Sequence, residues 1–212
     1  MAKRNVNGGG RLFQSPVLEA LTRTHIAFPL VIFYTTGAVA IWWVAAKHVQ
    51  PAMVVGVLAL AGLCFFSWVE YTVHRRFYHM GTNSPRKARI QYIFHGVHHD
   101  HPRDKRRLAL PPVMSVLVAA SFVGMFRLLL GPLGLAFGGG FLAGYATYLA
   151  IHYAIHVFPP PNNRLAVLWK HHNLHHFAGD DRAFGVSSPF WDLVYGTMPV
   201  DPRTRRSAGG HS

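Results

Sequence analysis

Charge is scarce in this chain, and acidic charge is scarcest. Only 14% of the 212 residues are charged, with eight Asp and Glu against 21 Lys and Arg. Soluble domains carry about 25% charged residues. A composition that is half hydrophobic, with a mean hydropathy of +0.18, therefore points to a bilayer rather than to water on all sides. Cysteine is nearly missing. The single Cys64 lies in an apolar run, which rules out an intrachain disulfide framework and reads as a small buried hydrophobe. A secretory leader is not apparent either, since about two dozen polar or mixed residues precede the first long apolar run.

Long apolar runs, by contrast, are abundant. Four follow the N-terminal segment: about Ile26–Ala46, Ala52–Val73, Pro112–Leu130 and Leu133–Val157. Each approaches the ~20 residues that a helix needs to cross a bilayer. Pro29 is tolerable in a first turn, and Gly138, Gly139 and Gly140 weaken the fourth run and blur its boundary. Two short turns, Lys47–Pro51 and Gly131-Pro132, would fold the four into two helical hairpins. The expected organisation is a flexible or interfacial segment 1–24, an all-α membrane domain 25–200 and a disordered tail 201–212.

The surplus of positive charge could suggest nucleic acid, but its placement argues otherwise. Of the 21 Lys and Arg, only Lys47 and Arg127 border the short turns, leaving 19 on the other side. Basic residues near spans mark the cytoplasmic face, so both termini and both long polar segments are expected there. Arg75, Arg76, Arg103, Lys105, Arg106 and Arg107 would meet anionic headgroups or attract an acidic electron-donor protein.

Histidine is the second anomaly, with 15 residues against eight acids. Ten fall into four groups: His74 and His79; His95, His98 and His99; His152 and His156; His172, His175 and His176. On a helix, positions three and four apart share a face, so each triplet projects together, as do His152 and His156. His74 and His79 are five apart, which suits ligands for two different ions or a helix that ends between them. Unpartnered buried imidazoles are costly, whereas neutral imidazole is a good ligand for iron, zinc, copper and nickel. Ten exceed what one ion uses, and two ions with about five nitrogens each is the natural count. The Glu and Glu-x-x-His pattern of soluble di-iron bundles is missing. His25, His48, His101 and His211 read as structural, and His171 as a neighbour of the ligands.

Acids near these groups are few. Glu70, one turn before His74, is a candidate to orient that imidazole, and one of Asp180, Asp181 and Asp192 to do the same near the last triplet, with Asp192 favoured. Phe184, Phe190, Trp191 and Tyr195 are candidates for a substrate groove, although an interfacial belt suits their aromatic character equally.

Over residues 65–200 the chain resembles the fatty acid hydroxylase and sterol desaturase superfamily. The segment Phe94–His99, followed by Pro102, Asp104, Arg107-Leu108 and Pro111-Pro112, and the segment Phe184–Asp192, ending at Gly196-Thr197, are similar to its fatty acid 2-hydroxylase branch. The resemblance implies a four-helix membrane bundle under a cytosolic histidine-rich helical cap. The ten histidines would hold two iron ions, with zinc possible in purified samples. It also implies O2-dependent hydroxylation of a lipid acyl chain at carbon 2, chemistry beyond any amino-acid side chain.

Many eukaryotic members carry a fused b-type cytochrome domain that 24 residues could not contain. A separate electron donor is therefore expected, and a bacterial inner membrane over the endoplasmic reticulum. Three rivals remain: a hydroxylase or desaturase of sterols, carotenoids or amino-acid lipids, a metal transporter or metal store, and a non-catalytic membrane protein with purely structural metals.

Overall fold

The structure is a computed structural model that describes residues 10–200. The expected tail 201–212, with His211, and residues 1–9 lie outside the described residues. All regular structure among the described residues is helical. Four helices are long and apolar enough to cross a membrane: α2 (Ala27–Ala46), α3 (Ala52–Val73, prolonged by a π-helical turn His74–Tyr78), α6 (Pro112–Leu130) and α7 (Leu133–Val157). The short helices are α1 (Pro16–Leu21), α4 (Pro85–Gln91), α5 (Val97–Asp100), α8 (Ala166–Phe177) and α9 (Phe190–Val194).

The chain's own punctuation sets these ends. Ser15 and Ser84 each accept a hydrogen bond from a first-turn N–H, of Leu18 and Lys87, and each precedes a proline. Pro112 opens α6, and Gly131, at φ 61°, turns the chain out of it.

The four long helices pack mainly through α7. α2, α3 and α6 all lean on α7, while α2 and α3 touch each other little. Helix α7 is accordingly 56% buried over its most apolar window, against 17% for α3 and for α6. Its glycines are what make this possible. A Cβ on Gly140 would collide with the carbonyl of Ala59 on α3, and one on Gly139 with the carbonyl of Gly37 on α2. Small residues that let backbones approach are the usual contact between membrane helices. So the glycines expected to blur α7 instead form its contact surface, and the helix runs unbroken over the expected range. Outward faces stay apolar, with Val57, Leu60, Leu117 and Leu128 exposed. Cys64 belongs to that outer surface rather than to the core.

Residues 10–24, expected to be flexible or interfacial, are bonded to the polar insert. Glu19 accepts from the backbone N–H of Leu12 (2.9 Å) and Phe13 (3.1 Å) and from Arg23, and pairs with Arg107. Thr24 donates to the carbonyl of Arg106, and Arg89 to that of Leu12. These bonds tie α1 to the polar insert between α3 and α6. Burial alone would raise the Glu19 carboxyl, but the two N–H donors, Arg23 and Arg107 together bring it down to about 2.

Candidate metal centre

The histidines gather where α3 and α7 end. Ten of them form two sets of five: His74, His79, His95, His99 and His175 in one, and His98, His152, His156, His172 and His176 in the other. Within each set the potential ligand atoms lie within 4.8 Å of one another. Nine of the ten are buried.

His74 and His79 serve one set, not two, because the backbone between them is a π-helical turn closed by His79 N–H on the His74 carbonyl (3.2 Å). The wider turn brings residues five apart onto one side. Each triplet, in turn, splits. His95 and His99 go to the first set and His98 to the second, while His172 and His176 go to the second and His175 to the first. Each half of the chain thus supplies four nitrogens to its own set and lends one to the other. A tyrosine ring lies flat on one member of each: Tyr78 on His95 (4.8 Å) and Tyr148 on His152 (5.6 Å).

Hydrogen bonding alone does not account for this packing. In the second set, the Nε2 atoms of His98, His152, His156, His172 and His176 form a closed ring. Successive separations are 3.1, 3.2, 2.9, 3.0 and 3.1 Å. Each N–H···N bond needs one protonated and one bare nitrogen, and an odd ring cannot alternate. In the first set, the Nε2 atoms of His79 and His175 are buried without a hydrogen-bond partner. A cation answers both difficulties. Two nitrogens about 2.0–2.1 Å from one ion and at right angles lie about 3 Å apart.

Protonation and orientation agree with a ligand role. Burial, reinforced by neighbouring imidazoles, holds His95, His98, His172 and His176 well below the usual histidine range. Burial lowers His79 against the pull of Asp180, whose carboxylate is 3.9 Å from its Nδ1, and brings His175 to about 4. These rings are neutral at pH 7. His74 Nδ1 faces the carbonyl of Phe184 (2.5 Å) and His175 Nδ1 that of Arg182 (2.7 Å). A carbonyl can only accept, so Nδ1 carries the proton and Nε2 is left with a bare lone pair.

Neither of the two predicted orienting acids touches a histidine of the two sets. Glu70 accepts from the N–H of Val186 (2.6 Å) and Ser187 (2.9 Å) and from the Ser187 hydroxyl, not from His74. Asp192 accepts from Phe184 N–H (2.9 Å), Gly185 N–H (2.7 Å), Thr197 Oγ1 (2.7 Å) and His171 (3.0 Å). Burial alone would raise the Asp192 carboxyl, and these donors lower it. The two acids clamp the segment 184–187 from opposite ends, and that segment's carbonyl holds His74. Among the acids, Asp180 approaches His79, and His171 meets Asp192 and belongs to neither set.

The four aromatics offered for a groove or an interfacial belt are placed separately. Phe184 is buried beneath His74, His79 and His175. Trp191 donates to Ser67 (3.0 Å), Tyr195 accepts from Trp68 (3.1 Å), and Phe190 is exposed. None of the four lines the cavity that reaches both sets. That cavity, about 310 Å³, meets His95 of the first set and His98 and His152 of the second, among Tyr78, Tyr145 and Tyr148.

The family model for fatty acid hydroxylases matches residues 59–197. The dihydroceramide fatty acyl 2-hydroxylase FAH1 of Arabidopsis thaliana is 32% identical over 206 residues, covering 93% of this chain and 84% of its own length. Mouse fatty acid 2-hydroxylase is 32% identical over 210 residues, covering 89% of this chain and 56% of its own length. A solved structure described as full-length scs7p, with only the hydroxylase domain visible, superposes with a TM-score of 0.78 at 30% identity, over 86% of this chain and 70% of that one. With the family match running over both histidine sets, the chain belongs to the fatty acid hydroxylase family, a family of oxidoreductases.

Proposed function

We propose that this protein hydroxylates a lipid acyl chain at carbon 2, using O2 and a pair of iron ions held by the ten histidines. The observation that carries the reading is one apolar cavity opening onto both five-nitrogen sets. His74, His79, His95, His99 and His175 would hold one ion, and His98, His152, His156, His172 and His176 the other. When bound, the irons supply the redox chemistry that an unactivated C–H bond requires. Relatives named for fatty acyl and fatty acid 2-hydroxylation favour carbon 2 and an acyl substrate over a sterol or carotenoid.

The chain's own groups do the rest. The carbonyls of Phe184 and Arg182 fix the tautomer of His74 and His175. Tyr78 and Tyr148 cover His95 and His152 on the cavity side. The apolar lining excludes water from the reacting carbon. Both sets lie at helix ends, whereas a transporter places its ligands near mid-membrane. By the basic-residue asymmetry, those ends and both termini face the cytoplasm. There a separate acidic electron donor would meet the exposed Arg103, Lys105 and Arg106.

The test is reconstitution in lipid with ferrous iron, O2 and a reductant, followed by mass spectrometry of a broad lipid extract. One added oxygen located on carbon 2 is expected. No oxygenated lipid from an iron-loaded sample would overturn the reading.

A further inference from the structure

Beside the cavity at the histidines lies a second one, about 160 Å³, that the reaction itself does not call for. It occupies the gap between α3 and α6. Both helices pack on α7, but they scarcely meet each other. Its walls are Phe66, Val69 and Val73 of α3 and Val118 and Phe122 of α6, with Phe141 of α7 beneath. Its one acid, Glu70, has both carboxylate oxygens engaged by Val186 and Ser187. Tyr78, Tyr145 and Tyr148 line this cavity and the one at the histidines alike, so the two meet at a collar of three rings.

The end away from the histidines is blind. Phe122 lies 4.6 Å from Phe141, Phe126 lies 5.2 Å from Phe141 and 4.8 Å from Phe137, and Phe65 reaches across from α3 to Phe126 at 6.4 Å. From His152 back to Phe141 is 11 residues of α7, about 16 Å at 1.5 Å per residue. Half of a ~30 Å hydrocarbon core is about 15 Å, the depth that one leaflet's acyl chain spans.

We propose that the α3–α6 gap is the compartment for the acyl tail, and that Phe122 and Phe141 at its blind end set the longest chain accepted. The inference rests on the acyl reading above. A chain with its reacting carbon beside His95, His98 and His152 must run its tail past the tyrosine collar, and the aromatic end-wall stops it. Beyond the tyrosine collar the walls are Phe66, Val69, Val118, Phe122 and Phe141, which offer a polar headgroup nothing, so the tail enters and the headgroup stays outside.

The protein reconstituted with iron and a reductant is given an equimolar series of acyl lipids differing only in chain length. Phe122→Ala is expected to move the product distribution to longer chains, and Val118→Phe to shorter ones. Near the limit, one methylene in an apolar pocket is worth roughly tenfold or more in selectivity, so the long-to-short product ratio should change by at least about tenfold. Leu117→Ala, on the outward face of α6, should leave the distribution as it is.

A second readout needs no turnover. An acyl lipid carrying a photoreactive group at its chain end should label peptides containing Phe122 or Phe141 in the metal-free protein. Wild-type distributions from both active variants, or label confined to the outward faces of the helices, would overturn the proposal. If Phe122→Ala fails to fold, Val118→Phe and the labelling decide. Absence of any hydroxylation by the wild-type protein, with the label still at Phe122 or Phe141, would fault the catalytic reading and leave the compartment standing.

Discussion

At the scale of single residues, the two exchanged histidines are the informative ones. His98 and His175 sit in the sets otherwise built by the opposite half of the chain. His98→Ala and His175→Ala should each abolish hydroxylation and lower bound metal from two ions toward one per chain, as measured by elemental analysis of the purified protein. Asp192→Asn acts at one remove. It weakens the hold on Phe184 and Gly185, and through the Phe184 carbonyl the orientation of His74. Outer partners of this kind are worth about 10–100-fold in metal affinity. A competition titration with a chelator should read that loss while the helical circular dichroism stays unchanged.

The ten histidines were legible because their spacing survives in any helical drawing. Their division was not, because it depends on a π-helical turn at His74–Tyr78 and on α5 and α8 approaching each other. Glu70 and Asp192 were legible as acids near the site, but their partners are backbone N–H groups more than 100 residues away in the case of Glu70, and no local pattern announces those.

At the scale of elements, α7 carries the architecture. Its range follows the apolar run 133–157, whose boundary Gly138, Gly139 and Gly140 blurred in the sequence, while α3 and α6 follow theirs directly. Its glycines were misjudged because a helix-weakening residue in water is a helix-packing residue in a bilayer. Gly140→Leu should force α3 away from the Ala59 carbonyl, at a cost of about 1–3 kcal/mol for overpacking, read as a lower midpoint of thermal unfolding in detergent.

Helix α1 makes a different prediction. The Glu19 carboxyl, at about 2 in the folded protein against an ordinary value of 4.5, stabilises the docked α1 fully above pH 4.5. That contribution is lost as pH falls from 4.5 toward 2. Hydrogen exchange over residues 12–22, corrected for intrinsic rate, should quicken across that window. In Glu19→Gln it should already be fast at pH 7. The docking was hidden in the sequence because Arg107 is 88 residues from its partner.

At the scale of the molecule, the bundle and the proposed metal centre stabilise one another. Ten imidazoles, nine of them buried, are drawn from four separate segments. Occupation by a cation therefore ties the ends of α3 and α7 to α5 and α8. A ligand bound only by the folded state stabilises it in proportion to its occupancy. Stripping metal with a strong chelator should lower the melting midpoint by several degrees or more, and should loosen residues 92–100 and 166–177 first in hydrogen exchange. Restoring iron or zinc should reverse both changes, because imidazole accepts either.

The crossing of His98 and His175 also bears on how the protein is made. The first set takes four donors from residues 74–99, but its fifth arrives only with α8, after every long helix has left the ribosome. The second set likewise waits on His172 and His176. On the proposed reading neither ion could be fully enclosed on a nascent chain, so metal loading would follow membrane insertion, and a chain stalled short of α8 would carry open sites at both positions.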